Sequence, residues 1–271
     1  MRKAIGSYTT PKEIINFCVN FLKPSPEQLV LDPACGTGGF LKGVNEYFIK
    51  NAKFNSNKIF GIEIEQELCS LIKKEDSEFS KDINVINADS LSSFEELSNK
   101  NPILKPETFD LILTSPPFGR SENLLEKSSL PRNSLMEILF LERSLEFLKF
   151  GGKMSIILPN FILKEHRFDI VRKFIFKEAN ILAVISLPQF AFVNFGTKIK
   201  TNILFLEKRN PLSVENGNDT IFMAIADNIG IDGKGRKDNV NDFSLILNEY
   251  RRFSKNRDNY PGYTEGEVYY G

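Results

Sequence analysis

The run Leu31-Asp-Pro-Ala-Cys-Gly-Thr-Gly-Gly-Phe40 constrains this chain more than any other segment. Leu29-Val-Leu31 is short, apolar and β-prone. Asp32 ends it, and three glycines lead into a helix predicted over 39–49. A strand, a glycine turn and a helix N-terminus in that order make one half of a βαβ unit, with backbone free to approach a ligand. No Gly-Lys-Ser/Thr follows, so the loop is not a phosphate loop of the Walker type. It also departs from Gly-x-Gly-x-x-Gly, which speaks against a nicotinamide cofactor.

The rest of the chain repeats the pattern. Further strands are predicted at 58–63, 83–89, 109–114, 153–158, 181–187 and 201–206, with helices after Glu63 through Leu71 and over 135–147 and 168–176. Strands alternating with helices imply an α/β fold with a mostly parallel sheet covered by helices on both faces. Pro11-Lys-Glu13 starts a leading helix, with Thr10 expected as its N-cap and Pro11 at its first position. The 271 residues are expected to form a main domain over 1–210 and an extension over 211–271 that packs on or continues the same domain. In that extension 227–242 reads as a surface loop or hairpin. The stretch from Glu249, with Arg251, Arg252, Lys255 and Arg257, reads as a solvated helix and frayed end.

Composition excludes several chemistries. Lys+Arg and Asp+Glu balance at 35 each, so no global basic field marks a stand-alone binder of nucleic acid. Cys18, Cys35 and Cys69 lie far apart and His166 is the sole histidine, leaving no metal set and no His-based triad. An odd cysteine count without a signal peptide fits a reducing cytoplasm. No apolar run approaches the ~18–20 residues of a membrane span. Cys35 reads as a packed small side chain, since no base lies near it in sequence.

Two acids and one turn give the glycine loop its context. Glu63 ends the second strand, where a carboxylate can accept from ribose hydroxyls. Asp89 ends the third and can accept from an adenine amino group, the favoured reading over one in which Ser90 caps a helix and Asp89 is merely its neighbour. Ser115-Pro-Pro-Phe118 follows the fourth strand. Its two prolines fix φ and so pre-aim the Pro116 carbonyl, and Phe118 offers a stacking face. Phe190, Phe192 and Phe195 could line a base pocket, with core filling the better reading for at least two of them. Lys198 and Lys200 are either phosphate contacts or a solvated strand edge.

In these parts the chain resembles the amino-group DNA methyltransferases, most closely the modification subunits of type I restriction-modification systems. The resemblance runs from Gly6 to Lys208. It is carried by Gly6-Ser-Tyr-Thr-Thr-Pro11, Asp32–Leu41, Phe60-Gly-Ile-Glu63, Asn87-Ala-Asp-Ser-Leu91, Ser115-Pro-Pro-Phe-Gly119, Leu148–Gly152 with Ile156-Ile-Leu-Pro-Asn160, and Ile185-Ser-Leu-Pro188. A Thr-Pro segment before the glycine loop and a Pro-Pro-Phe loop after it is the gamma motif order.

The resemblance implies a Rossmann-like fold and S-adenosylmethionine as methyl donor. Tyr8, Thr9, Thr10 and Pro11 would wall the methionine end. Asp32 would belong to the cofactor site, Thr37, Gly38 and Gly39 would meet the cofactor through backbone, Glu63 would hold the ribose and Asp89 the adenine. Ser115, Pro116, Pro117 and Phe118 would form the catalytic loop, acting on the N6 amine of an adenine flipped out of double-stranded DNA. Adenine-modifying relatives usually read Asn at the first loop position. Ser115 is more typical of enzymes acting on the N4 amine of cytosine, which stands as the alternative target, and a non-catalytic assembly module is the other. Target recognition is expected from a specificity subunit or from further chain, with a restriction subunit as a possible additional partner.

Overall fold

The computed structural model describes residues 9–51, 58–74, 83–120, 130, 135–193, 198–212 and 220–255. Its strands are β1 (Val30–Asp32), β2 (Ile59–Glu63), β3 (Ile83–Asn87), β4 (Phe109–Thr114), β5 (Leu148–Pro159), β6 (Ala179–Ser186), β7 (Thr201–Lys208), β8 (Phe222–Ile225), β9 (Ile229–Ile231) and β10 (Lys237–Asn241). The helices are α1 (Lys12–Leu22), α2 (Gly39–Lys50), α3 (Gln66–Lys74), α4 (Phe94–Lys100), α5 (Met136–Phe147), α6 (Asn160–Lys164), α7 (Asp169–Glu178) and α8 (Phe243–Lys255).

Eight strands form one sheet in the order β3-β2-β1-β4-β5-β7-β6-β8, and β9 and β10 form a separate hairpin. β7 runs antiparallel to β5 and β6, while the other pairings in the large sheet are parallel. From β1 the chain moves to one side through β2 and β3, then crosses to β4 on the other. The crevice above Asp32 and Thr114 is therefore the topological switch point, where open α/β sheets hold their ligands.

Alternating side chains give the sheet a core on each face. In β7, Ile203 and Phe205 join α1, α2 and α8 on one face, while Leu204 and Leu206 join α5 and α7 on the other. Phe21 of α1 stacks on Phe205 at 3.6 Å between ring centroids and on Tyr250 of α8 at 4.0 Å. The rings lock α1 and α8 together over β7.

Three elements differ from expectation. α1 begins at Lys12, and Pro11, in an extended conformation, holds the cap position without a side-chain bond. Its carbonyl accepts from Ile15 N–H instead, so Thr10 is left outside the helix. The stretch from Glu249 is not a solvated helix. It is the second half of α8, which buries Phe243, Ile246 and Phe253 at helical spacing and exposes Arg251 and Arg252. Arg257 lies outside the described residues. Between 211 and 227 the chain adds β8, an edge strand on β6.

Candidate active site

β1 delivers Asp32 to the crevice, and the turn that follows is built from backbone. Asp32 accepts the Ala34 N–H at 3.0 Å, and the Gly38 N–H returns to the Cys35 carbonyl at 2.7 Å. Gly36 and Gly38 have φ of 52° and 80°, a region in which side chains are strained, so glycine is required at both. Gly38 serves as the N-cap of α2.

Glu63 stands at the end of β2 and holds this turn. One carboxylate oxygen accepts the Gly36 N–H at 2.9 Å and the other the Glu65 N–H at 2.8 Å. Asn87 at the end of β3 donates to the Glu63 and Ile64 carbonyls, which brings the third strand end alongside. Next to it, Asp89 accepts the Leu91 N–H at 2.9 Å. The Ser90 hydroxyl donates to the Pro33 carbonyl, so it ties the β3 loop to the glycine turn and caps no helix. Ser93 is the N-cap of α4. The buried guanidinium of Arg143 on α5 lies within electrostatic reach of Asp89 and 4.3 Å above the Phe94 ring.

β4 lies beside β1, with Val30 opposite Leu111 and Leu31 opposite Ile112, so Ser115 emerges next to Asp32. Thr9, Thr10, Asp32, Thr37, Gly39 and Ser115 converge on one cleft of about 110 Å³. Ala34, Cys35, Gly36, Phe40 and Leu68 complete its lining. Pro11, Gly38, Glu63, Asp89, Pro116, Pro117 and Phe118 do not line this cleft, and Tyr8 lies outside the described residues. Pro116 is buried, and Pro117 and Phe118 are half-buried. Sequence reasoning passed over Leu68, a half-buried apolar residue of α3 with no motif to mark it.

The electrostatics are unusual at Asp32. Burial pushes its carboxyl up to about 7, helped by the nearby Glu63 charge and opposed by the Ala34 N–H and the Thr114 hydroxyl. A cation in the cleft would favour its ionised form. Burial, with Asp32 and Glu63 nearby, pushes the Cys35 thiol far up, away from the thiolate that a nucleophile needs. Elsewhere, Phe192 is core, Phe190 is half-buried, and Phe195 lies outside the described residues. His166 is fully exposed. No group of described residues could hold a metal ion, and no described helix is long and apolar enough to cross a membrane.

The family model for N-6 DNA methylases matches residues 1–265. The chain belongs to this family. Among N-6 DNA methylases, it is 30% identical over 222 residues to the type I restriction enzyme EcoEI methylase subunit of Escherichia coli, covering 76% of this chain and 43% of that one. It is 25% identical to the StySPI methylase subunit of Salmonella potsdam, covering 82% and 44%. The solved type I restriction-modification methyltransferase subunit from Streptococcus thermophilus matches with a TM-score of 0.67 at 22% identity, covering 92% and 54%. The chain thus spans less than half the length of the curated relatives it matches.

Membership implies S-adenosylmethionine as the cofactor, and this chain's residues fit it. Two glycines with positive φ keep the loop free of side chains, a buried carboxyl faces the cleft, and of two further acids Glu63 ends β2 while Asp89 stands two residues past the end of β3. That set offers acceptors to a cation, to ribose hydroxyls and to an amino group.

Proposed function

We propose that this chain is the catalytic part of a restriction-modification enzyme that methylates the N6 amine of adenine in double-stranded DNA. One observation carries the reading. Ser115 of the Ser-Pro-Pro-Phe loop lines the same cleft as Thr10, Asp32 and Gly39, so the amine-holding and donor-holding segments share one chamber.

The exocyclic amine is a weak nucleophile because its lone pair is delocalised into the ring. The Ser115 hydroxyl oxygen and the Pro116 carbonyl accept its N–H bonds and hold the nitrogen in line with the donor. Phe118 stacks on the flipped base, an interaction worth about 1–3 kcal/mol in stacking platforms. S-adenosylmethionine supplies an already activated methyl group, so positioning and electrostatics account for the rate. Thr9, Thr10 and Pro11 wall the methionine end, and Asp32 faces its cation. Thr37, Gly38 and Gly39 approach through backbone, Glu63 accepts from the ribose, and Asp89 accepts from the adenine amino group. The catalytic domain is assigned to 1–210 and the extension to 211–271, in which β8 adds a sheet edge and α8 covers it.

Zero net charge and the longer relatives support a division of labour. A specificity subunit, or further chain, reads the target sequence, and a restriction subunit joins the assembly. Three buried free thiols accord with a cytoplasmic setting. The test is transfer of labelled methyl from S-adenosylmethionine to DNA by the assembled enzyme, followed by nucleoside analysis. N6-methyladenine is expected. N4-methylcytosine would reassign the target, and absence of both transfer and calorimetric cofactor binding would sink the enzymatic reading.

A further inference from the structure

The Ser115–Phe118 loop is held at its start by β4, and Phe118 packs half-buried against the core, but the turn just past it at Gly119 has no such packing. Its start continues from β4, where Thr114 pairs with Ile156 of β5. Pro116 and Pro117 then fix their own φ. Gly119 closes the loop at φ 132°, a swivel with nothing within 4 Å of the place a Cβ would occupy. No steric wall fixes the chain there.

The first turn of α5 supplies the restraint. The Gly119 N–H donates to the Glu137 carboxylate at 3.0 Å, and the Met136 N–H donates to the Gly119 carbonyl at 2.7 Å. Arg120 also bridges Leu135 in antiparallel fashion. Gly119 is thus gripped at both of its polar atoms by a helix start far along the chain.

Glu137 is a costly choice for that position. It is 1% exposed, and among the described residues no lysine or arginine pairs with it. Burial pushes its carboxyl up, and Glu137's own N–H and the Gly119 N–H oppose that rise. The N-terminal dipole of α5 recovers part of the cost. A leucine would serve the start of α5 without burying a charge. An acceptor here serves Glu137's own N–H and the Gly119 amide, and of the two only the Gly119 bond reaches the catalytic loop.

We propose that Glu137 is a positioning residue for the catalytic loop. Its buried carboxylate fixes the loop's end, and with it the Pro116 carbonyl and Phe118 ring that receive the target amine. This rests on the methyltransferase reading of the same loop. Glu137 does not line the cleft, so it acts through Gly119 and not on the substrate.

Glu137→Gln and Glu137→Leu are compared with the wild type in the DNA-methylating assembly. In Glu137→Leu the expected fall in kcat is about 100-fold, the scale of a misplaced reacting group. S-adenosylmethionine affinity and melting temperature stay at wild-type values. Glu137→Gln keeps an acceptor oxygen and restores most of the rate. Amide hydrogen exchange at Gly119 is slow in the wild type and Glu137→Gln, and fast in Glu137→Leu. Wild-type kcat in Glu137→Leu, unchanged exchange at Gly119, or parallel loss of rate, cofactor affinity and melting temperature in both variants would each overturn the proposal. Failure of the methyltransferase reading shows separately, as a wild-type assembly that transfers no methyl group while Gly119 exchange still responds to Glu137.

Discussion

The Gly36 amide donates to the Glu63 carboxylate across 2.9 Å, tying the glycine turn after β1 to the last residue of β2. Glu63 also accepts from Glu65, so one side chain organises two loops before any ligand arrives. Replacing it with alanine leaves two backbone donors without that acceptor. The expected loss is about 1–3 kcal/mol in urea unfolding, with weaker S-adenosylmethionine binding by calorimetry. Glu63→Gln keeps one acceptor oxygen and should lose less stability than affinity. An unchanged urea midpoint in Glu63→Ala would show that the turn stands without it.

Asp32 makes the stability of the cofactor-free protein fall as pH rises. Folded, its carboxyl keeps a proton up to about pH 7; unfolded, it releases it near its ordinary value of 3.8. Between these limits the folded chain binds more protons. The unfolding free energy therefore declines through that window, and the loss is complete above it. Asp32→Asn removes the effect while its amide oxygen can still accept from Ala34. Its melting temperature should exceed that of the wild type at pH 8 and match it near pH 4. S-adenosylmethionine brings cations that favour ionised Asp32, so its thermal shift at pH 8 should be larger for the wild type. Equal pH profiles for the two proteins would count against a raised Asp32.

Much of this was legible in the sequence because β1 and β4 are short apolar runs that each end in residues no core needs. Asp32 and Ser115 advertise a crevice, and the alternation of strands and helices fixes which end of the sheet holds it. Residues whose meaning lies in a distant partner were not legible. Glu137 reads as an ordinary surface charge on a helix until Gly119 is seen against it, 18 residues away. β8 exposes Met223 and Ile225 while covering Phe222, and four residues are too few for that alternation to stand out. The buried stripe of α8 starts at Phe243, well ahead of the basic cluster that follows Glu249 and masks it in the sequence.

Lys198 and Lys200 are exposed just before β7. Because β7 runs antiparallel to β5, its first residues lie at the same end of the sheet as Ser115, and the Lys200 carbonyl accepts the Asn160 N–H at 2.8 Å. Neither lysine has an ion-pair partner among the described residues. If both meet DNA phosphates, the double alanine variant should lower the slope of log affinity against log salt by about 0.9 per phosphate lost. Cofactor binding should be untouched. A wild-type slope in the variant would assign both lysines to solvent.

Gly43 decides how closely α1 approaches α2. A Cβ on Gly43 would stand 2.4 Å from Ile15 Cγ2, and one on Gly39 would stand 2.9 Å from Ile15 Cδ1. Ile15 is buried, so it has little room to yield. In an open helix Gly→Ala is worth about 1 kcal/mol in favour of alanine. Here overpacking reverses the sign, and Gly43→Ala should destabilise by about 1–3 kcal/mol. The strain should reach the cofactor as well, because α1 follows directly on Thr9, Thr10 and Pro11, and the two threonines line the cleft. S-adenosylmethionine affinity in Gly43→Ala should therefore fall although Gly43 touches no ligand. Ile15→Ala alone opens a cavity at a cost of about 2–5 kcal/mol. Combined with Gly43→Ala it should cost less than the sum, since the new methyl enters space that Ile15 has left. Additive costs in the double variant would mean that α1 and α2 shift apart freely, and that the cleft does not depend on this contact.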